Sequence, residues 1–293
     1  MPATDPGKRL EAACYMDPVL FETTLGVDSS ISFGAYRFFG LAAAFYLLGA
    51  AWFFLRAYKL AHLHIAAITA SLVAAFFMGS RLLYALLHPQ VIAANPVLLT
   101  KIHLSNFTLY GGLAAALLTW WLAARTLELP LYRLTDRLAP HAGIAAALIR
   151  VGCYFSGCCF GIPTGLPWGI TFPTGSPAHL AQAANNPLAL LYPTAPVHPT
   201  QLYELASALG AALVAWLLLK KNVKEGLAGA VFGLIFTAGR LITFQFRDFP
   251  FAEGYSNLLR GPLVYGAAIA VFAIWTYKAM EPGVKQKAGL PEK

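Results

Sequence analysis

Charge is what this chain most lacks. Asp, Glu, Lys and Arg make up 12% of its 293 residues, only 13 residues are acidic, and residues 151–219 hold no Lys or Arg. Between Asp136 and Glu225 there is one acid, Glu204. So few charges do not suit the surface of a soluble domain, and 58% hydrophobic residues with a mean hydropathy of +0.61 point to an integral membrane protein. The long apolar runs show no period-two alternation, which argues for helices over a barrel. Residues 1–30 lack a leading apolar core and carry Asp5, Glu11, Asp17, Glu22 and Asp28, so no cleavable signal is expected and the first span acts as its own insertion signal. Neither a tandem repeat nor a second domain is visible.

Crossing the hydrocarbon takes about 20 apolar residues, and seven stretches qualify: 34–55, 63–86, 107–124, 140–157, 202–219, 226–246 and 262–279. The expected fold is an all-α polytopic membrane protein. Residues 1–30 form an outer segment, an amphipathic lid resting on the bilayer through Leu20, Phe21 and Leu25. Residues 31–280 form the seven-helix domain, with a Pro/Gly-rich outer loop or small head at 158–200, and 281–293 form a cytoplasmic tail. Orientation follows from the cations. Segments 56–64, 125–139, 220–225 and the tail hold twelve of the 21 Lys and Arg, which predicts the N-terminus outside and the C-terminus inside. The net charge of +8 therefore reflects topology, and no nucleic-acid partner is expected.

The other cations carry the functional reading. Lys8, Arg9, Lys101 and Arg260 fit outer segments, and Arg247 fits the edge of one. Arg37, Arg81, Arg150 and Arg240 lie in or at the ends of apolar runs, near the outer ends of spans one, two, four and six. One such Arg is explained by snorkelling to the interface. Four at one depth on separate helices suggest a bound anion, and guanidinium forks match phosphate oxygens. A phospholipid head group fits that description.

The densest stretch runs from Arg150 to Pro163 and joins a cation to Cys153, Cys158 and Cys159 and to Gly152, Gly157 and Gly161. A charge within a span is costly and usually faces a bundle interior or wet cavity, while close glycines let backbone approach a ligand or helix. This stretch is read as the floor of an active site. A second stretch, His198-Pro-Thr-Gln-Leu-Tyr-Glu204, opens span five and places Glu204 early in an apolar helix, as a partner for the helix dipole or for an Arg. Arg240 and Arg247 are seven apart and expected on one helix face. Tyr110 precedes Gly111-Gly112, a pair that permits close helix packing, and Asp136 suits the cap of span four.

Taken in order, these motifs resemble the bacterial prolipoprotein diacylglyceryl transferase family over nearly the whole chain. The resemblance rests on Gly79-Ser-Arg81, Tyr110-Gly-Gly, Asp136, the Arg150-x-Gly152 signature ending at Gly161, His198 to Glu204, and Arg240. It implies a seven-span enzyme of the bacterial inner membrane with its site facing the outer leaflet. Such an enzyme moves the diacylglyceryl group of phosphatidylglycerol onto the lipobox cysteine of a prolipoprotein signal peptide and releases glycerol phosphate. Arg150, Arg240, Arg247, Gly157, Gly161 and Glu204 match the family pattern. Family positions usually held by Asn, Asn and Glu carry Cys153, Ser156 and Cys158; the span-three His is Tyr110, and the Glu after the span-six Arg is Phe244.

On this reading Arg150 and Arg240 hold the lipid phosphate, with Arg81, Arg247, Gly152, Gly157, Gly161, Gln201 and Tyr203 around it. The thiol proton is taken by His198, Glu204, Tyr110 or Cys158, with His198 or Glu204 preferred because Tyr and Cys begin near 10 and 8.5. No cofactor and no metal are called for. A related enzyme with the same lipid site and another acceptor, a head-group hydrolase or transferase, stands as the alternative. For Cys153, Cys158 and Cys159, packing, a disulfide, a catalytic role and a three-thiolate metal site with His198 all stay open. Cys14 follows no apolar stretch and makes no convincing lipobox. A transporter fits less well, because transporter sites lie near the midplane.

Overall fold

The computed structural model describes residues 19–24, 30–87, 89–94, 109–248 and 261–281. Cys14, Lys8, Arg9, Lys101, Arg260, most of the outer segment and the tail beyond 281 lie outside them. Where the sequence suggested an amphipathic lid, strand β1 (Val19–Thr24) pairs antiparallel with β2 (Ser30–Gly34), Thr24 opposite Ser30. The reason is local: Ser30-Ile-Ser-Phe33 alternates with period two, and β1 carries Val19, Thr23 and Thr24. Among the described residues this hairpin is the only paired-strand element, and isolated bridges join Gly161 to Arg247 and Val197 to Pro163 and Ile170.

The helices are α1 (Ala35–Arg56), α2 (His62–Leu87), α3 (Pro89–Ala94), α4 (Leu109–Thr126), α5 (Leu131–Phe155), α6 (Pro177–Asn185), α7 (Thr200–Lys220), α8 (Leu227–Phe244) and α9 (Pro262–Met280). Six of them, α1, α2, α5, α7, α8 and α9, are long and apolar enough to cross a membrane. Helix α4 occupies the remaining expected span but is not among these six; its Gly pair, Trp120, Trp121 and Arg125 dilute its apolar content.

By internal packing the chain forms two compact units, one containing Ala44–Leu134 and the other Asp17–Ala43 with Thr135–Lys293. In the first unit α2 and α4 touch through glycine. A Cβ on Gly79 would strike the Gly111 carbonyl and Ala115, and one on Gly111 would strike the Gly79 carbonyl, so the backbones meet directly. Where α1 turns into α2, Leu55, Ile65, Ile68 and Leu134 form a fully apolar knot, with Trp52, Tyr58 and Trp120 packed on it.

Helix α5, most of which belongs to the second unit, begins at Leu131, nine residues before the expected span, and carries Pro140 inside it. Charged residues Arg133, Asp136 and Arg137 hide this start from a hydropathy reading. Asp136, expected to cap its own helix, instead lies inside α5 and serves another helix. Its carboxylate accepts from the N–H groups of Gly226 at 2.6 Å and Gly229 at 2.7 Å, closing the first turn of α8. A buried carboxylate there satisfies orphan donors and answers the positive end of the helix dipole.

Residues 158–200 fold around Phe160, Phe172, Ala178, Ala181 and Val197. Ser176 caps α6 by accepting from the His179 N–H, Gly175 N–H donates to His179 Nδ1 at 3.0 Å, and His179 Nε2 lies 3.0 Å from the Ala189 carbonyl. His179 is thus consumed by the local fold.

Candidate active site

Glu204 lies in the second turn of α7, buried with 4% exposure, and organises the second unit. Its Oε2 is 2.5 Å from Arg150 Nε and 2.7 Å from Arg240 Nη1, and its Oε1 is 3.6 Å from Arg247 Nη1. Arg150 reaches it from the last turns of α5, and Arg240 from the last turns of α8. Arg247 does not share a helix face with Arg240. Helix α8 stops at Phe244, and Arg247 lies in a short bridge opposite Gly161. The guanidinium of Arg247 is raised above its ordinary pKa: burial works against its charge, but Cys159 and Glu204 more than offset this. One carboxylate facing three guanidiniums leaves the cluster net positive, a standing receptor for a doubly charged oxyanion.

Tyr265 at the start of α9 completes the arrangement. Its hydroxyl accepts from Arg240 Nη2 at 3.0 Å, and the guanidinium carbon lies 5.6 Å from its ring centroid. Nothing but an aromatic near a span end marked Tyr265 in the sequence.

The loop after α5 is held by the start of α7. Thr200 Oγ1 donates to the Cys159 carbonyl and Gln201 Nε2 to the Cys158 carbonyl, each at 2.6 Å. The His-Pro-Thr-Gln motif therefore clamps the cysteine turn, a job that its spacing alone did not reveal for Thr200. The turn needs clamping because Gly157 (φ +64°) and Cys159 (φ +59°) both adopt the left-handed region, which a cysteine disfavours. Cys153, on the last turn of α5, accepts from Arg150 Nη1 at 3.5 Å, and Ser156 Oγ is 3.6 Å from Cys158 Sγ. Hydrogen bonds from the Cys153 and Cys158 thiols, with the cations of Arg247 and Arg150, hold the Cys159 thiol well below its ordinary pKa against the cost of burial.

Gly157 is needed for its left-handed φ, whereas Gly152 and Gly161 serve close contacts that involve backbone. A Cβ on Gly152 would lie 3.0 Å from Phe39 Cβ, where α5 crosses the start of α1. Gly161 is the tightest: a Cβ would meet His198 Cβ at 2.5 Å and the carbonyls of His198 and Phe246 at 2.6 Å. The N–H of Gly161 donates to the His198 carbonyl, that of Ile162 to Phe246 and that of Asp248 to Phe160, so three distant segments knit at this residue. His198 Nδ1 is 3.1 Å from the Tyr203 hydroxyl, which accepts from Trp168 Nε1 at 2.8 Å, and its ring packs 5.0 Å from that of Phe246.

The structure thus brings Arg150, Glu204, Arg240 and Arg247 together, and places His198, Gln201 and Tyr203 beside the turn that begins at the end of α5. Arg37 is exposed on α1. Arg81 on α2 and Tyr110 at the start of α4 belong to the first unit, and the Tyr110 side chain lies outside the described residues.

A family model described as prolipoprotein diacylglyceryl transferase matches residues 28–280 of this chain. The chain belongs to that family. Among curated members, the phosphatidylglycerol–prolipoprotein diacylglyceryl transferase of Clostridium tetani is 31% identical over 238 residues, covering 80% of this chain and 87% of its own length. The enzyme of the same name from Cupriavidus pinatubonensis is 29% identical, covering 69% of this chain and 70% of its own length. That of Pseudoalteromonas atlantica is 24% identical, covering 93% of this chain and 95% of its own.

Proposed function

We propose that this protein transfers the diacylglyceryl group of phosphatidylglycerol to the cysteine thiol of a prolipoprotein, releasing glycerol phosphate. The observation that carries the reading is the array of Arg150, Arg240 and Arg247 around one buried carboxylate. A diester phosphate bears one negative charge, and the departing glycerol phosphate approaches two. A fixed excess of guanidinium therefore binds the product-like state more strongly than the ground state, which is the requirement for catalysis.

Roles follow from the contacts. Arg150 and Arg240 bind the phosphate oxygens, and Arg247 closes the array. Both oxygens of Glu204 face guanidiniums, which makes it a poor base, and its part is to hold them in place against mutual repulsion. The thiol proton goes to His198, kept in orientation by Tyr203 and Phe246. The distribution of Lys and Arg supports an inner-membrane enzyme with its N-terminus outside, its C-terminus inside and the array toward the outer leaflet, where signal peptides of prolipoproteins emerge.

Complementation tests this. In cells depleted of their own transferase, the expressed chain is expected to add the mass of one diacylglyceryl group to a reporter prolipoprotein. A well-expressed chain that leaves the reporter mass unchanged would overturn the reading.

A further inference from the structure

The transferase reading gives Cys153, Cys158 and Cys159 no part, yet their Sγ atoms all lie within 4.8 Å of one another. Three sulfurs on a tetrahedral zinc, each about 2.3 Å from the ion, sit roughly 3.8 Å apart, so the trio closes on such an ion with small side-chain adjustments. Among the described residues neither His198 nor any other His, Cys, Asp or Glu joins the group, so these residue types leave the fourth position open. Cys153 is buried, whereas Cys158 and Cys159 are partly exposed, so the open side of the trio is its accessible side.

The turn is also built with more care than packing of three small residues requires. A left-handed Cys159 is retained, and two buried side chains, Thr200 and Gln201, clamp the carbonyls of the vicinal cysteines. Gln201 is 0% exposed, and among the described residues its Oε1 has no hydrogen-bond partner. Charge agrees: three thiolates on a divalent ion carry one net negative charge, and Arg150, whose Nη1 already reaches Cys153 Sγ, lies ready to offset it. Three protein ligands and one open position are the pattern of a reactive zinc site, whereas a structural site is closed by four.

We propose that Cys153, Cys158 and Cys159 bind a zinc ion as thiolates, and that its fourth position takes the thiol of the acceptor cysteine. This deepens the transferase reading and rests on it. A coordinated thiol is deprotonated at neutral pH, its proton passing to the general base. The metal-bound sulfur then attacks the glyceryl carbon. A C–S bond forms, the C–O bond to phosphate breaks, the electron pair leaves on the phosphate oxygen, and the ion stays Zn²⁺ throughout. Arg150 links the two ends of the reaction, pairing with Glu204 through Nε and with Cys153 through Nη1. Nucleophile and leaving group are thereby held within one side chain of each other.

The test uses the full-length protein, purified in detergent without a polyhistidine tag from zinc-supplemented cells. Elemental analysis is expected to find one zinc per chain, and at least tenfold less in the C153S/C158S/C159S variant. Cobalt substitution of the unmutated protein should give an intense thiolate-to-metal charge-transfer band, which keeps the test sound if the variant folds poorly. A lipobox peptide should shift that spectrum, and the same peptide with serine in place of cysteine should not. Zinc content independent of the three cysteines, a disulfide among them by mass, or a cobalt spectrum indifferent to the peptide would each overturn the proposal. Zinc-loaded protein that passes these tests but transfers no lipid would sink the transferase reading and leave the metal site standing; zinc-free protein that transfers lipid would do the reverse.

Discussion

Two knots close the ends of long apolar helices in this protein. In the first unit Leu55, Ile65, Ile68 and Leu134 meet with no polar atom among their side chains. In the second, Arg150, Glu204, Arg240 and Arg247 meet through charge. The apolar knot is what burial of hydrophobic surface yields anywhere, and each contact strengthens it independently. The ionic knot is stable only as a set, because removing one member strands the others in a poorly solvated site. The first kind of knot holds helices; the second kind holds unbalanced charge ready for a ligand.

Glu204→Gln breaks the contrast most severely. Three guanidiniums would lose their shared counter-charge, and the variant should lose about 3–5 kcal/mol of stability, as breaking a buried pair does, with transfer activity falling alongside; thermal unfolding in detergent reads the first and lipid transfer the second. Arg150→Ala comes next. It should cut transfer by about 10²–10³-fold, typical for loss of one oxyanion-stabilising donor, and Arg150→Lys should fail to restore it because a point charge cannot replace the fork. Activity near wild type in Arg150→Ala would remove the phosphate assignment.

Leu55→Ala probes the other knot. A loss of about 3 kcal/mol in stability is expected from a buried Leu deletion, with the rate per folded molecule unchanged; a fall in that rate would mean that the two knots are not separable. The smallest effect should come from Tyr265→Phe, which removes one hydrogen bond to a charged group and should cost about 1.5 kcal/mol, read as a roughly tenfold weaker response of transfer rate to lipid concentration.

How far the sequence disclosed this depended on the cost of each feature. Arg150, Glu204 and Arg240 were legible because a charge in an apolar run is expensive and demands a reason. Gly111 was legible as a packing residue for the same kind of reason, and the close contact with Gly79 agrees. Features that depend on tertiary partners were not. Asp136 looked like the cap of its own helix, and only the folded chain shows it closing α8 ninety residues later. The start of α5 was hidden because its first turns carry Arg133, Asp136 and Arg137, which a hydropathy window reads as loop. Arg247 was placed on a helix face by arithmetic that holds only while the helix continues, and α8 ends before it. The hairpin at Val19–Thr24 and Ser30–Gly34 carried an alternation too short to outweigh the expectation of a helical protein.

The three guanidiniums and their shared carboxylate come from widely spaced parts of the chain, and this sets an order of events during synthesis. Arg150 leaves the ribosome well before Glu204, and no Lys, Arg, Asp or Glu lies between them. The fourth span therefore carries a cation whose partner acid is not yet made, and it is expected to stay at the lateral exit of the insertion machinery until the following helix supplies Glu204. A nascent chain tethered to an arrest sequence should register a pulling event when residue 204 clears the exit tunnel, and Glu204→Gln should erase it. The array proposed to serve a lipid phosphate would act first as the latch by which one half-made helix waits for the next.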